Sequence, residues 1–424
     1  MSDAAATADP NSTPSTGAAG LRAVDSKSFD ALDETLRNQG ASQALDRLLQ
    51  ELEGRHEFRA LLDALLLKAR YELGLPLLHT GSLNEVAEPA RSQYEERYVA
   101  AIRHVGRKFL DQGDPLSAWP YFRAIGEPEP VARALEEYRP TENDPNLGAI
   151  IEVAFNQGAN PRRGYELILE HYGSCSAITA FEQLPRDDAT RAAAAGALVR
   201  QLHAHLTANL RSDIEQRGQE TLAEGLSILD LVSGRDWLFA DEAYHIDVSH
   251  LASTVRVAPL LSDPEVIATA VDLTEYGRRL SPRHIYEGDP PFENVYEDHR
   301  TYLRALLGQD VDEAIQHFRT KLTPSPDPYA DEDEPQRPDP TPAQVLVGLL
   351  NRIGHVEEAI DVAAEHLAGY PESALFCPGV SQLCERARRP DRLAAISRAQ
   401  GDLVHYAAAR LDELRSRSQP PATT

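Results

Sequence analysis

Cysteine is scarce. The chain of 424 residues carries only Cys175, Cys377 and Cys384, and no pair has the close spacing of a zinc finger. If Cys377 and Cys384 share a helix they stand two turns apart, roughly 10 Å along its axis. That exceeds the ~7 Å Cα separation a disulfide tolerates. An odd, unpaired count fits a reducing compartment, and a cytoplasmic location is expected. Long apolar runs are also missing. No stretch approaches the ~20 residues of a membrane-spanning helix, and the opening Met-Ser-Asp-Ala-Ala-Ala-Thr has neither the basic nor the apolar region of a signal peptide. There is one Met, and aromatics make up 6%. Positive charge is in deficit, with 42 Lys and Arg against 67 Asp and Glu, for a formal charge of -25. Such a field repels nucleic-acid phosphates and anionic lipid, so neither a nucleic-acid nor a membrane partner is expected.

Catalytic signatures are absent too. There is no Gly-rich phosphate loop, no G-x-S-x-G elbow and no H-E-x-x-H. Gly173-Ser174-Cys175 has the outline of a thiol-protease nucleophile, but Leu169 stands where an oxyanion Gln is needed. A helix-ending Gly173 followed by a capping Ser174 accounts for the same residues. No catalytic residue, no metal ligand and no cofactor is assigned, and the expectation is a non-enzyme.

What the chain does have is helical rhythm carried by Ala and Leu. Phe29, Leu32 and Leu36 share a face. So do Leu45, Leu48, Leu49 and Leu52 after Gly40, and Phe58, Leu61, Leu62, Leu65 and Ala69 after Gly54. Leu198, Leu202, Leu206 and Leu210 predict a longer helix around 188–216. Ser262-Asp263-Pro264-Glu265 reads as a capping box with Pro in the first turn, so a helix should start there. β-branched runs are scarce, so the expected fold class is all-α. Residues 1–26 read as a disordered tail, 27–145 as an N-terminal block of helix hairpins and 146–322 as a middle helical block. The acidic, Pro-rich run 323–341 reads as a linker, 342–414 as a C-terminal block and 415–424 as a tail.

Two stretches repeat a pattern. In 92–130, Val105-Gly106 and Phe109 lie on a first helix, Gly113 makes the turn, Ala118 and Phe122 lie on a second helix, and Pro130 closes the unit. Pro120 interrupts that second helix. In 340–372 the same places hold Leu346 and Leu350, Gly354, Ala359 and Ala363, and Pro371, with Gly348 one position off the usual small residue. Residues 301–322 give a third unit with a longer turn, and 147–172 carry a similar insertion. This pattern resembles the tetratricopeptide (TPR) repeat. The resemblance covers about half the chain and implies hairpins stacked as a TPR-like α-solenoid, with a concave groove that binds a protein or peptide. The stretch 188–300 follows it poorly.

The resemblance places Arg103, His104 and Arg107 on the groove-lining helix, with Asn351 and Arg352 in comparable places of the C-terminal unit. Arg103 and Arg107 share a face and suit a carboxylate or an acidic peptide. The competing reading is a solvated basic face paired with Glu95, Glu96 or another surface acid. A second site candidate is the block from Asp236 to His250, where His245 and His250 sit among carboxylates, with His284 and His299 downstream. This is the raw material of a metal or acid–base site in a helical enzyme. On one helix His245 and His250 would point about 140° apart, which favours separate pairs: His245 with Asp241 or Glu242, His250 with Asp247, or a break capped by Ser249. The leading expectation is a non-enzymatic scaffold or adaptor. The alternatives are that helical enzyme or metal protein centred on 236–300, and a structural component of a larger assembly. The periodicity leaves the oligomeric state open.

Overall fold

A computed structural model describes residues 26–78, 86–240, 242, 244–322 and 339–418. The acidic Pro-rich run, apart from its last residues, lies outside them, as do residues 1–25, Asp241 and 419–424. Among the described residues there is no β-strand, only an isolated bridge between Glu287 and Asn294. The chain divides into two compact units at 153/154, just inside the block expected at 146–322.

The first unit opens with α1 (Ser26–Gln39), α2 (Ala41–Gly54) and α3 (Phe58–Glu72), followed by α4 (Ala90–Asp111), α5 (Pro115–Ala124), α6 (Glu129–Glu137) and α7 (Leu147–Ile151). From α1 to α6 each helix packs against the next in chain order. The α4–α5 hairpin realises the expected repeat contact. Gly106 faces the wholly buried ring of Phe122, and a Cβ there would lie 2.8 Å from Phe122 Cε2. Only a residue without a side chain permits that approach. Phe58, Leu61 and Val105 form the adjoining core, with the Phe109 ring edge-on to Phe58 and stacked on Tyr121. Pro120 stays inside α5, which is only 10 residues long. Pro130 does not simply end the unit: it occupies the first turn of α6, where its missing N–H costs nothing.

The boundary of the second unit falls within a π-helical turn at 152–156. Its helices are α8 (Pro161–Phe181), α9 (Asp188–Arg217), α10 (Ile228–Val232), α11 (Val248–Val257), α12 (Pro264–Gly277) and α13 (Val295–Leu306). They continue as α14 (Val311–Thr320), α15 (Thr341–Arg352), α16 (Val356–His366), α17 (Val380–Ala387), α18 (Pro390–Gln400) and α19 (Leu403–Ser418), which runs past the expected end at 414. Gly173 breaks α8 with φ 78°, a left-handed conformation that glycine adopts without penalty.

Two packing regimes share this unit. The 30-residue α9 buries Leu198, Leu202, Leu206, Leu210 and Ile214 and is contacted by α8, α10, α11 and α12. Here the irregular stretch 188–300 forms a bundle around one long helix. From α13 to α19, chain-order packing returns. Leu346, Leu350, Ala359 and Ala363 are all buried in the core of this second stretch. Gly348 has open space where a Cβ would go, so it is not the point of close approach. Cys384 is buried in the same core, where desolvation pushes its thiol up to about 11, and all three cysteines are free.

Candidate functional site

On α4, the three expected groove residues have different fates. Arg103 forks onto Glu127 beyond the end of α5, with Nε 2.9 Å from Oε2 and an outer nitrogen 2.5 Å from Oε1. This hydrogen bond holds the Glu127 carboxyl below its ordinary range. Lys108 pairs with Glu53 of α2, and Arg97 with Glu72 of α3. Cations thus stitch α4 to its neighbours. His104 and Arg107 remain exposed on the same helix. Arg103 is thus paired with a surface acid, Glu127, as the competing reading expects, while Arg107 sits near enough to Glu127, and His104 to Glu53, to help lower those carboxyls.

On α15, both expected residues are engaged within the second unit. Asn351 Oδ1 accepts a bond of 2.9 Å from Arg386 of α17. Arg352 donates to the carbonyl oxygens of Pro259 and Leu261. Those carbonyls belong to the turn after α11, so Arg352 ties the chain-ordered helices to the bundle.

The His and carboxylate block resolves into staples. Residues 244–246 are not helical, so i, i+4 pairing does not apply there. His245 reaches instead to Asp213 of α9, Nε2 to Oδ2 3.0 Å, and to the Tyr276 hydroxyl of α12, 3.0 Å from Nδ1. Both ring nitrogens are occupied. Burial raises the Tyr276 phenol far above its ordinary value, so it stays protonated. The break expected near Ser249 exists, but Asp247 is the cap. Its Oδ1 accepts from the backbone N–H of Ser249 at 2.8 Å and of His250 at 3.2 Å. A carboxylate two residues ahead reaches these donors, which the Ser249 hydroxyl does not. His284 lies 3.9 Å from Glu242. Among the described residues no three His, Cys, Asp or Glu side chains converge as a metal would require.

Two polar centres were invisible in the sequence. Asp272 of α12 accepts from the backbone N–H of Ile228 at 2.7 Å and of Leu229 at 3.1 Å, and lies 2.9 Å from His203 Nε2. It borders an open cleft of ≈ 850 Å³ lined also by Thr207, Arg211, Glu224 and Arg304. Both signs of charge line the cleft, and no single ligand class is favoured. Asp298 of α13 is buried, with His317 at 2.7 Å and Lys321 at 2.8 Å. Its neighbour His299 is buried against Phe292, ring centroids 4.1 Å apart, with Nδ1 2.6 Å from the Val295 carbonyl. The partners that meet Asp272 come from α9 and α10, and those that meet Asp298 from the end of α14, so no local motif announces them.

Comparison with family models, with curated proteins and with solved structures finds no match.

Proposed function

We propose that this chain is a non-enzymatic protein-interaction scaffold: a TPR-like α-solenoid of the cytoplasm that binds a protein or peptide partner through a helical-repeat groove. The supporting observation is chain-order packing, over α1–α6 and again over α13–α19. Helices that bury themselves only on their neighbours leave long faces available to a partner. His104 and Arg107, exposed on the helix that carries the Gly106–Phe122 contact, are the residues assigned to an acidic segment of that partner.

The test begins with in-cell crosslinking, followed by binding of the purified partner to the full chain. Placing negative charge at both positions with His104→Glu and Arg107→Glu is expected to weaken binding by about tenfold or more, with the helical circular-dichroism signal unchanged. Unaltered affinity in the double variant would remove these residues from the groove. A failure of every crosslinked protein to bind the purified chain would remove the scaffold reading itself.

A further inference from the structure

A cavity of ≈ 450 Å³ lies among the C-terminal helices, walled by the end of α16, the loop after it, the start of α17, the end of α18 and the start of α19. That volume falls in the range of small-molecule sites. Part of the lining is aliphatic, with Leu367, Leu375, Val380, Leu393 and Ile396. The charged groups in the lining are Glu372, Asp402 and His405.

Both carboxylates are fixed in place. Glu372 accepts from the Ser381 N–H at 3.0 Å and from the Ser381 hydroxyl at 2.5 Å. A Cβ on Gly379 would lie 2.3 Å from Glu372 Cδ, so the glycine leaves room for this side chain against the backbone. Asp402, at the start of α19, accepts from the N–H groups of Val404 and His405 at 3.0 Å each, and its Oδ2 lies 2.6 Å from His405 Nδ1. That last bond, with the charge of Asp402 and of Glu372 behind it, holds the His405 ring above its ordinary range. Two carboxylates thus face one imidazole, and the lining is net negative whether the ring is charged or neutral. A carboxylate has room for about four donors, and neither receives that many here.

Ser397 is the second, independent sign. It is only 3% exposed, and it lines the same cavity. Its carbonyl accepts from the Asp402 N–H at 2.8 Å, which places it at the acidic end. Its hydroxyl has no hydrogen-bond partner among the described residues. A helical serine ordinarily satisfies itself on the carbonyl four residues back, as Ser176 does on Tyr172 and Ser233 on Leu229. A buried hydroxyl left unpaired is costly, and this one stays available to whatever enters the cavity.

We propose that this cavity binds a small organic amine as its ammonium, with an apolar body. The ammonium is drawn to the end formed by Glu372 and Asp402, where Ser397 Oγ is a further acceptor, and the body covers the aliphatic lining. An organic anion is repelled by the same carboxylates, in a chain of formal charge -25. The inference goes beyond the scaffold reading and does not depend on it.

Hexylamine, hexan-1-ol and hexanoate share a tail and differ in the charge of the head, and they test it by saturation-transfer NMR titration of the full chain near neutral pH. Hexylamine is expected to bind about tenfold more tightly than the alcohol, with hexanoate weakest. Glu372→Gln keeps an acceptor for Ser381 and removes the charge, so the preference for amine over alcohol is expected to shrink about fivefold. Ser397→Leu fills the cavity at a side chain that makes no hydrogen bond, and is expected to abolish hexylamine binding with unchanged circular dichroism. Should that variant unfold, Ser397→Ala decides: affinity is expected to fall about threefold while the urea midpoint holds or rises. Equal affinity for amine and alcohol would overturn the proposal. So would an undiminished preference in Glu372→Gln, or unaltered affinity in Ser397→Ala. Hexylamine binding that survives Ser397→Leu would place the amine on exposed apolar surface instead and overturn it too. None of these results bears on the scaffold reading, which stands or falls with the crosslinked partner.

Discussion

Gly106 and Gly348 look alike in the sequence, each on the first helix of a repeat unit, but their surroundings separate them. At Gly106 an added methyl meets the Phe122 ring, which is wholly buried and has no room to yield. Overpacking of this kind costs about 1–3 kcal/mol, against about 1 kcal/mol gained from the better helix propensity of alanine. Gly106→Ala is therefore expected to lower the urea midpoint. Gly348→Ala enters open space inside a helix and is expected to raise stability by about 0.5–1 kcal/mol. Two shifts of the same sign would show that the α4–α5 approach is looser than described. The Val105-Gly106 pattern was legible because a close helix approach leaves a local mark: a small residue at fixed spacing from an aromatic one. The fates of Arg103 and Arg352 were not legible. Their acceptors, Glu127 and the carbonyls of Pro259 and Leu261, are set by folding.

Helix starts were written locally and were read with mixed success. α12 starts where Ser262-Asp263-Pro264-Glu265 predicts, but Asp263 rather than Ser262 is the cap, accepting from the Glu265 N–H at 3.0 Å, and no capping box forms. At α11 the cap moved from the expected Ser249 to Asp247, whose carboxyl is held below its ordinary range by the Ser249 hydroxyl and the backbone donors it accepts. Asp247→Ala is expected to cost about 1 kcal/mol, measured by urea unfolding, with Asp247→Asn recovering most of it. An equal loss in both variants would point to the charge rather than the cap. The long α9 was visible from its leucine spacing. Its role as the shared surface for α8, α10, α11 and α12 was not, because periodicity reports that a face is buried but not what covers it.

The acidic balance of the chain and its buried histidine bear on the same range of pH. Desolvation lowers His299 to about 4, and the approach of its Nδ1 to the Val295 carbonyl places the neutral ring's proton there. An unfolded histidine titrates near 6.5. Below that pH the unfolded chain binds a proton at this ring, while the folded chain binds none until about pH 4. Stability is therefore lost as pH falls through this window, by about 3 kcal/mol in all. His299→Leu removes the titration, so its urea stability is expected to fall less than that of the wild type between pH 7 and 4.5. Parallel curves for the two proteins would sink this account. Composition and periodicity alone pointed to an all-α chain, to the long helix around 188–216 and to a helix start at 262–265. Those properties follow from contacts within a few residues. Tertiary structure decided the division at 153/154, the bundle around α9 and the pairing of Asp298 with His317 and Lys321. Each of these depends on which distant segment arrives as neighbour, and a local pattern of residues does not encode that choice.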